Sequence, residues 1–131
     1  LNARDNDGWT AFMFACYCRR NDVVKLFLDH SERIDLNART KNGRTAFMLA
    51  CNYGHEDVVQ LLLDKSERIE LNARNNIGRT AFIQACYFGH KDVVKLLLEY
   101  SEVVDINIPE PFHLSEDIKN LIKLHSKRVQ N

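Results

Sequence analysis

An excess of charge of either sign is missing from this chain of 131 residues: 18 Lys and Arg face 18 Asp and Glu, for a formal net charge of zero. No long-range field therefore draws it to nucleic acid or to an anionic membrane. No apolar run approaches the ~18 residues of a membrane-spanning helix, and no secretory leader is visible. The chain opens mid-motif at Leu1 without an initiator Met, which reads as a fragment or a processed piece. Proline is confined to Pro109 and Pro111. Spacings of the His-x-x-x-His and Cys-x-x-Cys kind are absent, so no metal site is expected. A search for a Ser/His/Asp or Cys/His arrangement, a phosphate-cradling Gly-rich loop or a His/Glu cluster finds none, so neither catalysis nor a cofactor is expected. His30, His55, His90, His113 and His125 read as loop or surface residues, with His55 and His90 as scaffold of a loop between helices.

What is present is repetition. Leu1-Asn2-Ala3-Arg4 returns as Leu36-Asn37-Ala38-Arg39 and as Leu71-Asn72-Ala73-Arg74. Thr10-Ala11-Phe12 and Asp22-Val23-Val24 recur at the same 35-residue interval. Residues 36–70 and 71–105 are identical at 21 of 35 positions, which marks a stacked, quasi-one-dimensional protein. Hydrophobic residues make up 45% of the chain, enough for a continuous core. Cys16, Cys51 and Cys86 share one repeat position. Equivalent residues of stacked helices lie roughly 10 Å apart, beyond the ~7 Å that a disulfide allows. These three should be free, buried thiols, which favours a reducing compartment. Cys18, two residues after Cys16, points to another face.

The second copy shows the unit. Thr40-Lys41-Asn42-Gly43-Arg44 is a turn. Thr45 is a good N-cap, because its hydroxyl can accept from a free amide of the first helical turn. Phe47, Met48, Ala50 and Cys51 form an apolar stripe, and Gly54 suits a left-handed helix end. A second helix, Glu56 to Asp64, carries Val58, Val59, Leu61, Leu62 and Leu63 and must be covered on both sides. Ile69, Leu71 and Ala73 alternate with polar residues, which predicts an extended, strand-like return.

These units resemble ankyrin repeats. The match runs through Gly43, Thr45-Ala46-Phe47-Met48, Ala50-Cys51, Gly54-His55, Val58-Val59 and Leu61-Leu62-Leu63, with the same pattern through Gly78, Thr80, Gly89, His90 and Leu96-Leu97-Leu98. The resemblance implies an all-α, ankyrin-repeat solenoid of helix-turn-helix units. It implies a single domain over 1–131, with repeats at about 5–39, 40–74 and 75–108 and a terminal cap helix at about 115–128. The departures are specific. The family's Thr-Pro-Leu-His is Thr-Ala-Phe-Met here, or Thr-Ala-Phe-Ile in the third copy, so packing by Met13, Met48 and Ile83 must replace the histidine's hydrogen bonds. The period is 35 rather than ~33, with the extra residues after the second helix, in Ser31-Glu32-Arg33-Ile34-Asp35. Arg19-Arg20 stands where Gly-His belongs, and a left-handed Arg19 would cost about 1 kcal/mol.

Pro109-Glu110-Pro111 ends the pattern, and Ser115 caps a last helix running from Glu116 to about Lys127. Ile118, Leu121 and Ile122 fall at the positions of Val93, Leu96 and Leu97, while Lys119 and Lys123 replace Val94 and Leu98. That is a capping helix, polar on its outer face. Glu116 and Asp117 dilute its Lys119, Lys123, Lys127 and Arg128 as a basic surface. At the other end Val23, Leu26 and Phe27 have only Leu1 before them. Either further repeats precede, or the first unit is itself a modified cap.

Copies two and three differ in the turn, at 48–49 against 83–84, at 52–53 against 87–88, and on exposed parts of the second helix and the return, which reads as release from packing. The resemblance places a concave ligand face on the turns and first helices. Carried over, that face holds Asn6, Asp7, Trp9, Tyr17 and Cys18, then Lys41, Asn42, Arg44, Asn52 and Tyr53, then Asn76, Ile77, Arg79, Tyr87 and Phe88. The partner-binding set is Trp9, Tyr17, Arg44, Asn52, Tyr53, Ile77, Arg79, Tyr87 and Phe88, rich in the residue types that dominate hot spots. Trp9 leads it, since its turn has no core to enter. The plainer reading is that Tyr17, Tyr53, Tyr87 and Phe88 only cover neighbouring helices. The expected function is a non-enzymatic protein–protein interaction module, monomeric, intracellular and cytoplasmic, with the nucleus as the alternative. The alternatives are an interaction fragment of a larger enzyme or receptor, or a designed scaffold with no natural partner.

Overall fold

Thr10, Thr45 and Thr80 each open a helix in the same way. Each hydroxyl accepts from the backbone N–H three residues on, at Met13, Met48 and Ile83, all at 3.2 Å. The structure, a computed structural model, describes residues 2–109 and 113–130. Its helices, among these residues, are α1 (Ala11–Tyr17), α2 (Asn21–Asp29), α3 (Ala46–Asn52), α4 (Glu56–Leu63), α5 (Ala81–Tyr87), α6 (Lys91–Glu99) and α7 (Glu116–Gln130). Short 3-10 turns at Ser31–Arg33 and Ser66–Arg68 follow α2 and α4. The helices form two layers. α1, α3 and α5 pack side by side, α2, α4 and α6 make the second layer, and α7 packs on α6. One hydrophobic cluster runs from Phe12 to Ile118.

Repetition governs what is buried. Phe12, Phe47 and Phe82 are at most 2% exposed. Cys16, Cys51 and Cys86 are buried beside them as free thiols, and Cys18 is exposed. Burial pushes the Cys16 and Cys86 thiols up to about 12 and raises Cys51 too, so all three stay protonated near neutral pH. Met13 adds a bond where the family's histidine is missing, its Sδ accepting weakly from Thr10 N at 3.4 Å. Expected apolar packing at this position is thereby supplemented by a polar contact in the first repeat.

The return differs from expectation. Ile69 and Leu71 face inward and Glu70 and Asn72 outward, as the alternation requires. Yet no strand forms among the described residues, where the sole β contact is an isolated bridge between Arg4 and Thr10. The reason is that asparagine side chains take the place of a neighbouring strand. Asn37 Nδ2 donates to Arg68 O at 3.0 Å, while its Oδ1 accepts from Glu70 N at 2.9 Å. Asn2 bridges in the same way to Arg33 O and Asp35 N, and Asn72 to Val103 O and Asp105 N. Arginines reinforce this column, Arg4 donating to Arg39 O and Arg39 to Arg74 O.

Arg19 adopts the left-handed backbone, with φ +59°. Its Nε pairs with Asp57 Oδ1 at 3.0 Å, and Asn21 Nδ2 donates to Asp57 Oδ2 at 2.7 Å. Partial burial pushes the Asp57 carboxyl up, but the bonds from Asn21 and Arg19 outweigh it and hold the group below its ordinary value. At the far end Ser115 Oγ accepts from Ile118 N at 3.4 Å, Ile118 is buried, and Lys119 and Lys123 are exposed. Helix α7 runs on to Gln130, past the expected end at Lys127. Glu110, Pro111 and Leu1 lie outside the described residues. Val23 and Phe27 are half-buried and Leu26 is 60% exposed, leaving an open apolar hollow on α2.

Candidate functional site

The turns before the first helices are built alike from different residues. Asp5, Thr40 and Asn75 occupy one repeat position, and each side-chain oxygen accepts two backbone N–H groups. Asp5 takes Asp7 and Trp9, Thr40 takes Asn42 and Arg44, and Asn75 takes Ile77 and Arg79, all within 2.9–3.2 Å. Each such ring fixes a tight tip. Neighbouring tips are tied together, Lys41 N donating to Asp7 O at 2.9 Å and Asn76 N to Asn42 O at 3.0 Å. The other ends of the first helices are tied by histidine. The His55 ring Nε2 lies 2.8 Å from Tyr17 O, and that of His90 lies 2.7 Å from Asn52 O. Turns and first helices thus form one continuous, braced surface.

Aromatic rings gather on it. Trp9 sits against Phe14, ring centroids 4.8 Å apart, and meets Tyr17 edge-on at 5.4 Å. Tyr17 meets Tyr53 of the next repeat edge-on at 4.8 Å. Arg44 lies over the Trp9 ring at 5.7 Å. In the third repeat Tyr87 and Phe88 pair at 5.1 Å, and Arg79 lies over Tyr87 at 4.7 Å. Tyr17, Tyr53, Tyr87 and Phe88 remain exposed, and Ile77 is 69% exposed. Between the tips of the second and third repeats lies a hollow lined by Arg44, Asn52, Tyr53, Ile77, Gln84 and Phe88 among others. Two buried polar atoms there lack a hydrogen-bond partner, Arg44 Nε and Asn52 Oδ1.

A family model described as ankyrin repeats (three copies) matches residues 1–75 and, overlapping, 32–110. The chain belongs to the ankyrin repeat family. Ankyrin repeats are in general protein–protein interaction modules and are typically without enzymatic activity. No curated protein matches this ankyrin-repeat chain. Among the described residues no group of His, Cys, Asp and Glu could hold a metal ion, and no helix is long and apolar enough to cross a membrane.

The ankyrin framework brings Trp9, Tyr17, Arg44 and Tyr53 together at the junction of the first two repeats. It brings Arg79, Tyr87 and Phe88 together on the third. Asn6, Asp7, Cys18, Lys41, Asn42 and Asn76 are exposed on or beside the turns. Three expectations need correction. Asn52 is 8% exposed, a buried residue of α3 rather than an open surface group. Trp9 does find a core to enter, being half-buried and packed against the hydrophobic cluster. Variation within helix one was also misread, since Met48, Ile83, Leu49 and Gln84 are all buried. α3 packs on α1, α4 and α5, and α5 packs on α3 and α6, so their side chains vary inside the stack. Phe14, 44% exposed and packed against Trp9 at a tilt, was missed. No signal for it was present in the sequence, because the residues at its repeat position, Leu49 and Gln84, are both buried.

Proposed function

We propose that the chain binds a partner protein through the face built by its turns and first helices, without catalysing a reaction. The observation that carries this reading is the exposed aromatic band from Phe14 and Tyr17 to Tyr53, continued by Tyr87 and Phe88. Aromatic side chains offer large area with few rotors to freeze, so little ordering entropy opposes binding. The braced tips beneath them are already in place. Three buried, free thiols support a reducing, intracellular setting for that encounter. The stack acts as a monomer in this reading.

The test removes rings that do not hold the core. Tyr17, Tyr53 and Tyr87 are each replaced by Ala together, sparing half-buried Trp9, and folding is checked by thermal melting. A partner retained from a lysate of the source by the parent chain should be lost by this variant. Hot-spot truncations cost more than ~1 kcal/mol each, so affinity should fall by at least about a hundredfold in total. Equal retention by a folded variant would show that the face does not bind.

A further inference from the structure

We infer that the open side of the first repeat, formed by α1 and α2 together, is a docking face for a further ankyrin repeat of the same polypeptide. That repeat stacks ahead of α1 and α2 as they stack ahead of α3 and α4. The inference stands independently of the proposed binding face.

The first repeat leaves apolar side chains open at positions that are covered wherever a unit stands ahead. In the first layer Ala11 and Phe14 are exposed, whereas Ala46 and Leu49, and Ala81 and Gln84, are buried at the same repeat positions. The neighbour that α5 has and α1 lacks is a preceding first helix, so that helix is what covers Ala81 and Gln84. In the second layer Val24 and Leu28 are buried, while Val23 and Phe27 are half-buried and Leu26 is 60% exposed. At the positions of Val23 and Phe27 the later units have Val58 and Leu62, then Val93 and Leu97, all at 0% exposure. Lys119 and Lys123 make the outer side of α7 polar, and no such exchange occurs at Val23, Leu26 or Phe27.

Apolar area alone does not choose an occupant, but the hydrogen bonds do. Lys41 N and Asn76 N donate to Asp7 O and Asn42 O of the turn before, and Asn76 Nδ2 donates to Lys41 O at 2.7 Å. Asn6 shares their repeat position, and its N–H donates to no described residue. A turn like Lys41-Asn42 placed ahead of Asn6 supplies both carbonyls in the register of the existing junction. Asn2 bridges Arg33 O and Asp35 N as Asn37 bridges Arg68 O and Glu70 N, so the return that leads one unit into the next is already in place beside this face. One contact changes: the His55 and His90 rings lie against Tyr17 O and Asn52 O of the unit before, and Arg20 fills their position with another donor. Two copies meeting face to face by two-fold symmetry would each present the same unpaired Asn6 N–H. Covering Phe14 leaves the rest of the aromatic band open, since Tyr53 and Tyr87 stay exposed with a unit ahead of them.

The experiment fuses a copy of residues 36–70 ahead of Leu1 of the full chain, so that Glu70 of the copy leads into Leu1 as it leads into Leu71. A control fusion carries Val59→Lys and Leu63→Lys in the copy alone, the exchange that α7 shows at Lys119 and Lys123. Amide hydrogen exchange is followed in α2 and at Asn6. In the first fusion α2 should exchange at least about tenfold more slowly than in the parent, because the stability of a stacked unit follows its interfaces. The Asn6 amide should become protected with it. In the control both should exchange as in the parent. An unchanged α2 in the first fusion would overturn the inference, whether the added copy folds or not. Equal slowing in both fusions would overturn it too, because the effect would then not come from the apolar face. Sedimentation of the parent at rising concentration tests a second copy as the occupant. Self-association that slows α2 and is lost on Leu26→Lys would assign the face to that copy and overturn the inference, whereas a parent that stays monomeric supports it.

Discussion

One repeat position, filled by Arg19, Gly54 and Gly89, holds the left-handed backbone in all three units, with φ of +59°, +70° and +73°. The similar geometry hides different costs. For Arg19 the strain of about 1 kcal/mol is offset by a half-exposed ion pair to Asp57, and such pairs contribute roughly 0.2–1 kcal/mol. Strain at Arg19 was legible in the sequence because it concerns one residue's own backbone. The Asp57 partner was not, because it comes from the next unit. The glycines diverge for the same kind of reason. A Cβ on Gly54 would lie 2.7 Å from the His90 ring Nδ1, whereas one on Gly89 would meet nothing within 4 Å. Gly89→Ala should therefore cost only the backbone strain, about 1 kcal/mol. Gly54→Ala should cost about 2–3 kcal/mol, since it also displaces His90 from Asn52 O. Urea titration of both variants checks this, and equal midpoints would mean that the His90 ring yields freely.

Between residues and whole molecule stand the elements, and here the sequence was read correctly in type and less well in partnership. Thr caps, paired helices and the terminal helix follow from local pattern. The return after each second helix was expected to be strand-like because Ile69 and Leu71 alternate with polar residues, and their burial does alternate. Alternation reports which way side chains face, and is silent on what the backbone bonds to. In this stack the answer is the amide of Asn37 or Asn72 rather than a second strand. Asn37→Ala removes two inter-repeat hydrogen bonds at a solvated edge, each worth about 0.5–1.5 kcal/mol. A total loss of about 1–2 kcal/mol is expected in denaturant unfolding, with the helical content of the native state unchanged. A variant as stable as the parent would mean that water replaces the amide without penalty. Asn52 was misplaced on the surface by similar reasoning, because difference between copies two and three was taken for exposure. Positions inside a stack can vary too, provided volume is kept, as Met48 and Ile83 do at 1% exposure each.

Seen as a whole, the chain is covered unequally along its axis. α3 and α4 have a helix on either side in their layers, α6 is backed by α7, and α2 leaves Leu26 60% exposed. Local opening free energy follows burial and contact, and in stacked repeats it follows the number of interfaces each unit makes. Amide hydrogen exchange should be slowest in α3 and α4 and fastest in α2. Uniform protection across all units would instead mean that the stack opens as one body. The columns of Asn, Arg and His contacts have a further consequence. Each joins a residue to a partner 31 to 38 places on, and that offset recurs from one junction to the next. A duplicate of residues 36–70 spliced in after residue 70 would meet the required donors and acceptors at both of its borders. Length is then a freely adjustable property of this architecture, and the chain can grow by copying itself without any new interface having to be invented.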